Sequence, residues 1–180
     1  MRRVVTIWIL VMLAAAAYAG GQGEPAPELP VREGYTSVSS AGVNVQWSIS
    51  GDEISVQLAA VTTGWVAIGF DPTRQMQDAN FIIGFVRDGE VTVRDDFGIG
   101  RISHGPDVEN GGTNDILSAE GEERDGVTVI RFSIPLDSGD PLDRPLAAGS
   151  SHTIIVAHGP NGADDFTTPH VRRGSVEVEL

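Results

Sequence analysis

Met76 lies in a polar stretch, Arg74-Gln75-Met76-Gln77-Asp78, between two apolar runs, Trp65 to Phe70 and Phe81 to Val86. Methionine is ordinarily a soft filler of irregular core gaps, and these neighbours offer it nothing to fill. Its thioether is also a ligand for soft metals and for haem iron. The residue therefore has two readings, a side chain folded back over an apolar edge or an iron ligand. Four histidines can serve as ligand, acid or base: His104, His152, His158 and His170. No two stand at a metal-triad spacing such as H-x-H or H-E-x-x-H. His152 and His158 open and close one apolar run and read first as core or rim residues. His104 sits in a glycine-rich loop and reads as solvated. His170 follows Pro169 in a polar loop just ahead of the last alternating segment, a place from which a side chain can reach a rim pocket.

Carboxylates are plentiful. Asp95-Asp96, Glu122-Glu123 and Asp164-Asp165 are adjacent pairs. Neighbours on a strand point to opposite faces and form no catalytic dyad unaided, so these pairs read as solvated loop charges. There is no G-x-S-x-G elbow, and an exported hydrolase gains no support. The acids within 71–78 and 107–115 have the ligand chemistry of calcium, but neither stretch fits an EF-hand loop, and calcium stays without assigned residues. The chain has no cysteine. That excludes zinc–thiolate and iron–sulfur centres, disulfides, and covalent haem attachment through C-x-x-C-H.

Residues 1–19 carry Arg2 and Arg3, an apolar centre and Ala17-Tyr18-Ala19, the form of a signal peptide. The protein is therefore expected to be exported, periplasmic or extracellular. Residues 20–34, with Pro25, Pro27 and Pro30 among Gly, Gln and Glu, read as a flexible leader. Residues 35–180 are enough for one domain with its own core. The formal net charge is −13, and all 12 basic residues are arginine. Nucleic acid and anionic lipid are thereby disfavoured as partners, and a protein with a basic patch is favoured.

The elements that must position these groups have a period of two. Val43, Val45, Trp47 and Ile49 alternate with polar residues, as do Ile54, Val56, Leu58 and Ala60 after Ser50-Gly51-Asp52, which predicts a hairpin. Trp65 to Phe70 and Phe81 to Val86 are continuously apolar, as in strands buried on both faces or lining a pocket. Further strands are expected at 91–94, 115–119, 127–134, 152–158 and 174–180, with a long irregular loop over 97–112. About ten short strands without a helical period predict an all-β, antiparallel, immunoglobulin-like sandwich whose loops gather at its ends.

The ordered set GWVAIGF, QMQDANFIIGFV, GGTNDI, RFSIPLDSGDPLDRPL, IIVAHGP and HVRRGSVEVEL resembles the DOMON domain. That module is found in dopamine β-monooxygenase and, in haem-carrying form, as the cytochrome part of cellobiose dehydrogenase. The resemblance implies a sandwich that in some members holds one non-covalent haem b between a loop methionine and a histidine of the last loop. Met76 and His170 stand at those positions, with His158 the second choice for the histidine. One departure is Gln75, where haem-binding members often carry glycine. Trp65, Phe70, Phe81 and Phe166 are candidates for apolar contacts with the porphyrin, and the competing reading for each, above all Trp65 and Phe81, is plain core. Arg172 or Arg173 is a candidate partner for the propionates. A Met/His pair fills both axial iron positions and suits one-electron transfer rather than oxygen activation. The resulting expectation is a b-type electron-transfer domain without turnover of its own, served by a redox partner with a basic patch. The alternatives are a haem-free module binding a sugar, another small ligand or a partner protein, and a calcium-dependent adhesion domain.

Overall fold

The computed structural model describes residues 29–180, so the expected signal peptide and residues 20–28 of the leader lie outside the described residues. Eleven strands and one helical turn follow in order: β1 (Thr36–Ser40), β2 (Val43–Ser50), β3 (Glu53–Ala60), β4 (Val66–Phe70), β5 (Asn80–Arg87), β6 (Glu90–Gly100), β7 (Ser103–Pro106), α1 (Asp107–Asn110), β8 (Ser118–Arg124), β9 (Val127–Pro135), β10 (Ser151–His158) and β11 (Arg172–Glu179). They form two antiparallel sheets, ordered β1-β2-β3-β9-β8 and β11-β10-β4-β5-β6-β7. This is the antiparallel sandwich that the period-two pattern predicts.

The core lies between the sheets. Val43, Val45 and Trp47 of β2 and Ile54, Val56 and Leu58 of β3 face Val66, Ile68 and Phe70 of β4, Ile82 and Val86 of β5, and Ile154 and Val156 of β10. Each fully buried Val, Leu or Ile contributes roughly 1.5–3 kcal/mol relative to an exposed one, the main source of stability in a chain without disulfides. The β2–β3 register, Val45 opposite Leu58 and Trp47 opposite Val56, keeps both apolar sets on one face.

β4 and β5 are buried on both faces. Their outward residues form a second apolar cluster of Trp65, Ala67, Ile83 and Phe85 with Ala163 and Phe166. Loops rather than another sheet cover this outer face.

Three expectations are corrected. Residues 97–112 are not an irregular loop: β6 runs on to Gly100 and returns as β7, with a register shift between Phe97 and Gly100. The alternation that would have revealed this is broken by Gly98 and Gly100. Second, the end of the leader is docked. Leu29 packs on Ala59, Val127 and Val129, and the Pro30 carbonyl accepts hydrogen bonds from the Gln46 and Gln57 amides at 2.6 and 3.0 Å. Third, β8 is displaced from 115–119 to Ser118–Arg124, because Asp125 and Gly126, at φ 52 and 76, make a tight hairpin turn that fixes Arg124 opposite Val127.

Candidate functional site

Strand alternation dictates where the site lies. Inward residues of β4, β5 and β10 fill the core, while Ala67, Phe81, Ile83, Ile155 and Ala157 face out and floor a cavity of about 390 Å³. Met76 and His170 both line it. Trp65, Gln75, Arg101, Ile102, His104 and Arg173 complete the wall. Gly69 leaves the Phe81 ring its place in that floor: a Cβ on Gly69 would lie 2.6 Å from the ring.

The Met76 loop is pinned to β6. The Asp78 amide donates to the Gly98 carbonyl at 2.8 Å, the Gly98 amide donates to the Ala79 carbonyl at 2.9 Å, and the Met76 amide donates to the Arg101 carbonyl at 3.3 Å. Arg101 Nε also donates to Gln75 Oε1 at 3.1 Å. Gln75 has φ 59, the left-handed region that favours glycine. Gln75 adopts that conformation while its amide oxygen ties down Arg101. Gly98 is required by space, since any Cβ there would overlap the Met76 backbone carbonyl.

The His170 loop is held from within. Asp165 accepts from the Thr167 and Thr168 amides, each at 2.6 Å, and from the Thr168 hydroxyl at 2.6 Å. These bonds, the Thr168 hydroxyl first, hold its carboxyl well below the usual range. Trp65 Nε1 donates to the Thr168 carbonyl at 3.1 Å, tying the cavity wall to the residue two before His170. The indole lies against Gly159, where a Cβ would sit 2.6 Å from Nε1.

The other sequence-chosen residues divide. Trp65 and Phe81 line the cavity. Phe70 does not: it points between the sheets into the core. Phe166 stands behind the wall, 5.0 Å from Phe85, with the Arg94 guanidinium 4.1 Å over its ring. Arg173, opposite Ala157, lines the cavity, whereas Arg172, opposite His158, faces the other side beside Gly42. His158 is buried on that same side, with Nδ1 donating to the Gly159 carbonyl at 3.0 Å. His152 is structural, with Nε2 accepting from the Ala147 amide at 3.1 Å and Nδ1–H facing Asp71 at 2.6 Å.

Two residues read as solvated are built into the site. His104 is half-buried, 5.4 Å from the Phe81 ring, with Nδ1 2.5 Å from the buried Asp96 carboxylate. Arg94 also grips Asp96, at 2.5 and 2.6 Å. Burial pushes the Asp96 carboxyl up, but the hydrogen bonds from His104 and Arg94 outweigh it and hold the group below its ordinary value. A carboxylate behind an imidazole fixes its tautomer and orientation. The partner eight residues earlier, brought round by the β6–β7 hairpin, was the only available signal.

The fold and site define a β-sandwich module that carries an apolar cavity on the outside of one sheet, edged by a thioether and imidazoles. The chain belongs to the DOMON domain family, whose sequence model matches residues 39–159. It is 25% identical to DBH-like monooxygenase protein 1 of Mus musculus over 96% of this chain and 27% of that protein, and 26% identical to the Homo sapiens protein of that name over 84% and 24%. The chain thus spans about a quarter of the length of these curated relatives. Among solved structures, the fold is shared with the cytochrome b domain of pyranose dehydrogenase from Coprinopsis cinerea, at TM-score 0.59 and 9% identity over 80% of each chain. It is also shared with the cytochrome domain of Myriococcum thermophilum cellobiose dehydrogenase, at TM-score 0.56 and 11% identity over 87% and 89%. Among the described residues no helix is long and apolar enough to cross a membrane.

Proposed function

We propose that this is an exported b-type cytochrome domain that holds a non-covalent haem b between Met76 and His170 and passes single electrons. The observation that carries the reading is that a thioether and an imidazole, from loops far apart in sequence, edge one apolar cavity. The residue set fits the group. Ala67, Phe81, Ile83, Ile155 and Ala157 offer apolar contact, and Arg101 and Arg173 offer guanidinium partners for carboxylates. The two solved structures that share the fold are both cytochrome domains, which supports the same reading.

Haem held by Met76 and His170 would supply reversible one-electron transfer. The chain's own work is positional. Gly98 and Arg101 seat the thioether, Trp65 and Asp165 seat the loop of His170, and the apolar walls exclude water. The formal charge of −13 steers a basic redox partner, an effect that weakens with salt.

The test is reconstitution of the purified chain with haem. The expected product has a Soret band and, on reduction, the sharp visible bands of a six-coordinate low-spin haem. Met76→Ala and His170→Ala should each give a high-spin, weakly held form, and His158→Ala should not. A folded but colourless chain overturns the proposal, and an unchanged spectrum in His170→Ala overturns the ligand assignment.

A further inference from the structure

A second site lies on the other face of β6. Asp96 stands opposite the outward-facing Phe81, so its neighbour Asp95, opposite Ile82, points to the inner side, where it meets Asp107 at the start of α1 and Asp143 of the β9–β10 loop. One carboxylate oxygen from each lies within 4.8 Å of the others. Asp95 is 3% exposed and Asp107 1%.

The hydrogen bonding is half-complete in a specific way. Asp95 Oδ2 accepts from the Asp115 amide at 2.8 Å, and Asp143 Oδ2 accepts from the Ser138 hydroxyl at 2.9 Å. The other oxygen of each, and both oxygens of Asp107, are buried without a partner. The three residues thus bring one carboxylate oxygen each to a common point and together keep four buried carboxylate oxygens without a hydrogen bond. Asp140 stands beside them, fixed by the Thr113 hydroxyl at 2.9 Å and the Leu142 amide at 2.7 Å. Asn80 lies one pair along the same face of the ladder, opposite Phe97 where Ile82 is opposite Asp95, and its Oδ1 is also buried and unpartnered. The ion pairs among the described residues, including those of Arg94 and His104 with Asp96, leave this cluster out.

Buried carboxylates without hydrogen bonds or countercharge are heavily penalised unless paired or coordinating a metal. We propose that Asp95, Asp107 and Asp143 bind a calcium ion, each through the oxygen left unpartnered. An all-oxygen set selects a hard cation. Calcium–oxygen distances of 2.3–2.6 Å put ligands on opposite sides of the ion about 4.6–5.2 Å apart, compatible with the observed spacing. Magnesium demands near-ideal octahedral geometry and gives up its water reluctantly, so carboxylates fixed on three separate elements suit the more tolerant calcium ion. The ion would join β6, α1 and the β9–β10 loop, and β6 is also the strand that seats Met76 through Gly98. The proposal is independent of what occupies the cavity.

The experiment is calorimetric titration and thermal unfolding of the chain freed of metals with EDTA, with Ca²⁺ and Mg²⁺ as separate probes. Ca²⁺ should bind and raise the melting temperature, and Mg²⁺ at equal concentration should do so less. Asp107→Asn should weaken Ca²⁺ binding about tenfold or more, because affinity follows ligand charge. In EDTA the same variant should melt no lower than the parent, since it removes one of three crowded carboxylates. Asp143→Asn provides the same readings should Asp107→Asn fail to fold. Absence of Ca²⁺ binding by the folded chain, a Ca²⁺ response retained by the variants, or an equal response to Mg²⁺ overturns the proposal.

Discussion

Gly98→Ala tests whether the backbone of β6 sets the position of Met76. A Cβ on Gly98 would lie 2.9 Å from the Met76 carbonyl carbon and 3.0 Å from the Ala79 amide nitrogen, and closer still to the Met76 carbonyl oxygen. Non-bonded carbons settle at about 3.5–4.0 Å, so the Met76 carbonyl carbon must retreat by at least about 0.6–1.1 Å, and its oxygen, which is nearer, by more. No rotamer change relieves this, because the obstructing atoms are main chain. Binding constellations tolerate about 0.5 Å, and loss of a group supporting a metal ligand typically weakens affinity about 10–100-fold. The expected result is therefore a haem complex shifted toward the high-spin form and bound about 10–100-fold more weakly. The hydrogen bonds between Gly98 and Asp78 and Ala79 should loosen with it, lowering the melting temperature of the haem-free chain. Gly100→Ala is the control on the same strand, since its Cβ would meet only the movable Ser103 hydroxyl, at 3.1 Å. A folded Gly98→Ala protein with a low-spin spectrum and parental affinity, or equal damage from Gly100→Ala, would refute the reasoning.

Trp65→Phe removes the donor to the Thr168 carbonyl. A hydrogen bond of this kind is worth about 1 kcal/mol net, so haem affinity should fall about fivefold with the absorption maxima unchanged. A titration showing no loss would mean that Trp65 does not hold the His170 loop. Arg173→Ala should weaken haem binding while Arg172→Ala leaves it unaltered, because only Arg173 lines the cavity; the reverse order would contradict the β10–β11 register. The acid cluster predicts an unusual pH dependence in EDTA. Burial, then mutual repulsion, raises Asp95 to about 8 and Asp107 to about 7, while burial raises Asp143 to about 6. Unfolded carboxyls titrate near 4, so the folded chain holds extra protons. The contribution of these groups is complete below about pH 4 and is lost as pH rises toward about 8. The denaturation midpoint of the metal-free chain should therefore fall from pH 5 to pH 8.5, less steeply in Asp107→Asn, and a midpoint that rises would show the carboxyls to be ionised without cost.

What was legible in the sequence was what a single strand encodes about itself. The two-faced strands β2 and β3 announce their period, and β4 and β5 announce burial on both faces. A methionine among polar neighbours stands out without help. What was not legible depends on pairing between distant segments. Arg172 and Arg173 are equivalent as sequence, and only the register against Ala157 and His158 sends one to the cavity and the other away. Phe70 and Phe81 differ in the same way, one facing in and the other out. His104 looks solvated until the hairpin places Asp96 behind it. Asp95-Asp96 reads as a pair of surface charges, yet both are buried, one on each face of β6.

The cavity lies outside the sandwich rather than between its sheets, and this has a bearing on how such a domain changes over time. Residues that make the fold and residues that make the site alternate along β4, β5 and β10, so a substitution at Ala67, Phe81 or Ala157 alters the wall while Ile68, Ile82 and Val156 keep the sheets together. The inner core and the cavity wall are thereby drawn largely from alternate positions of the same strands. A lineage can reshape the cavity wall while the residues between the two sheets stay as they are.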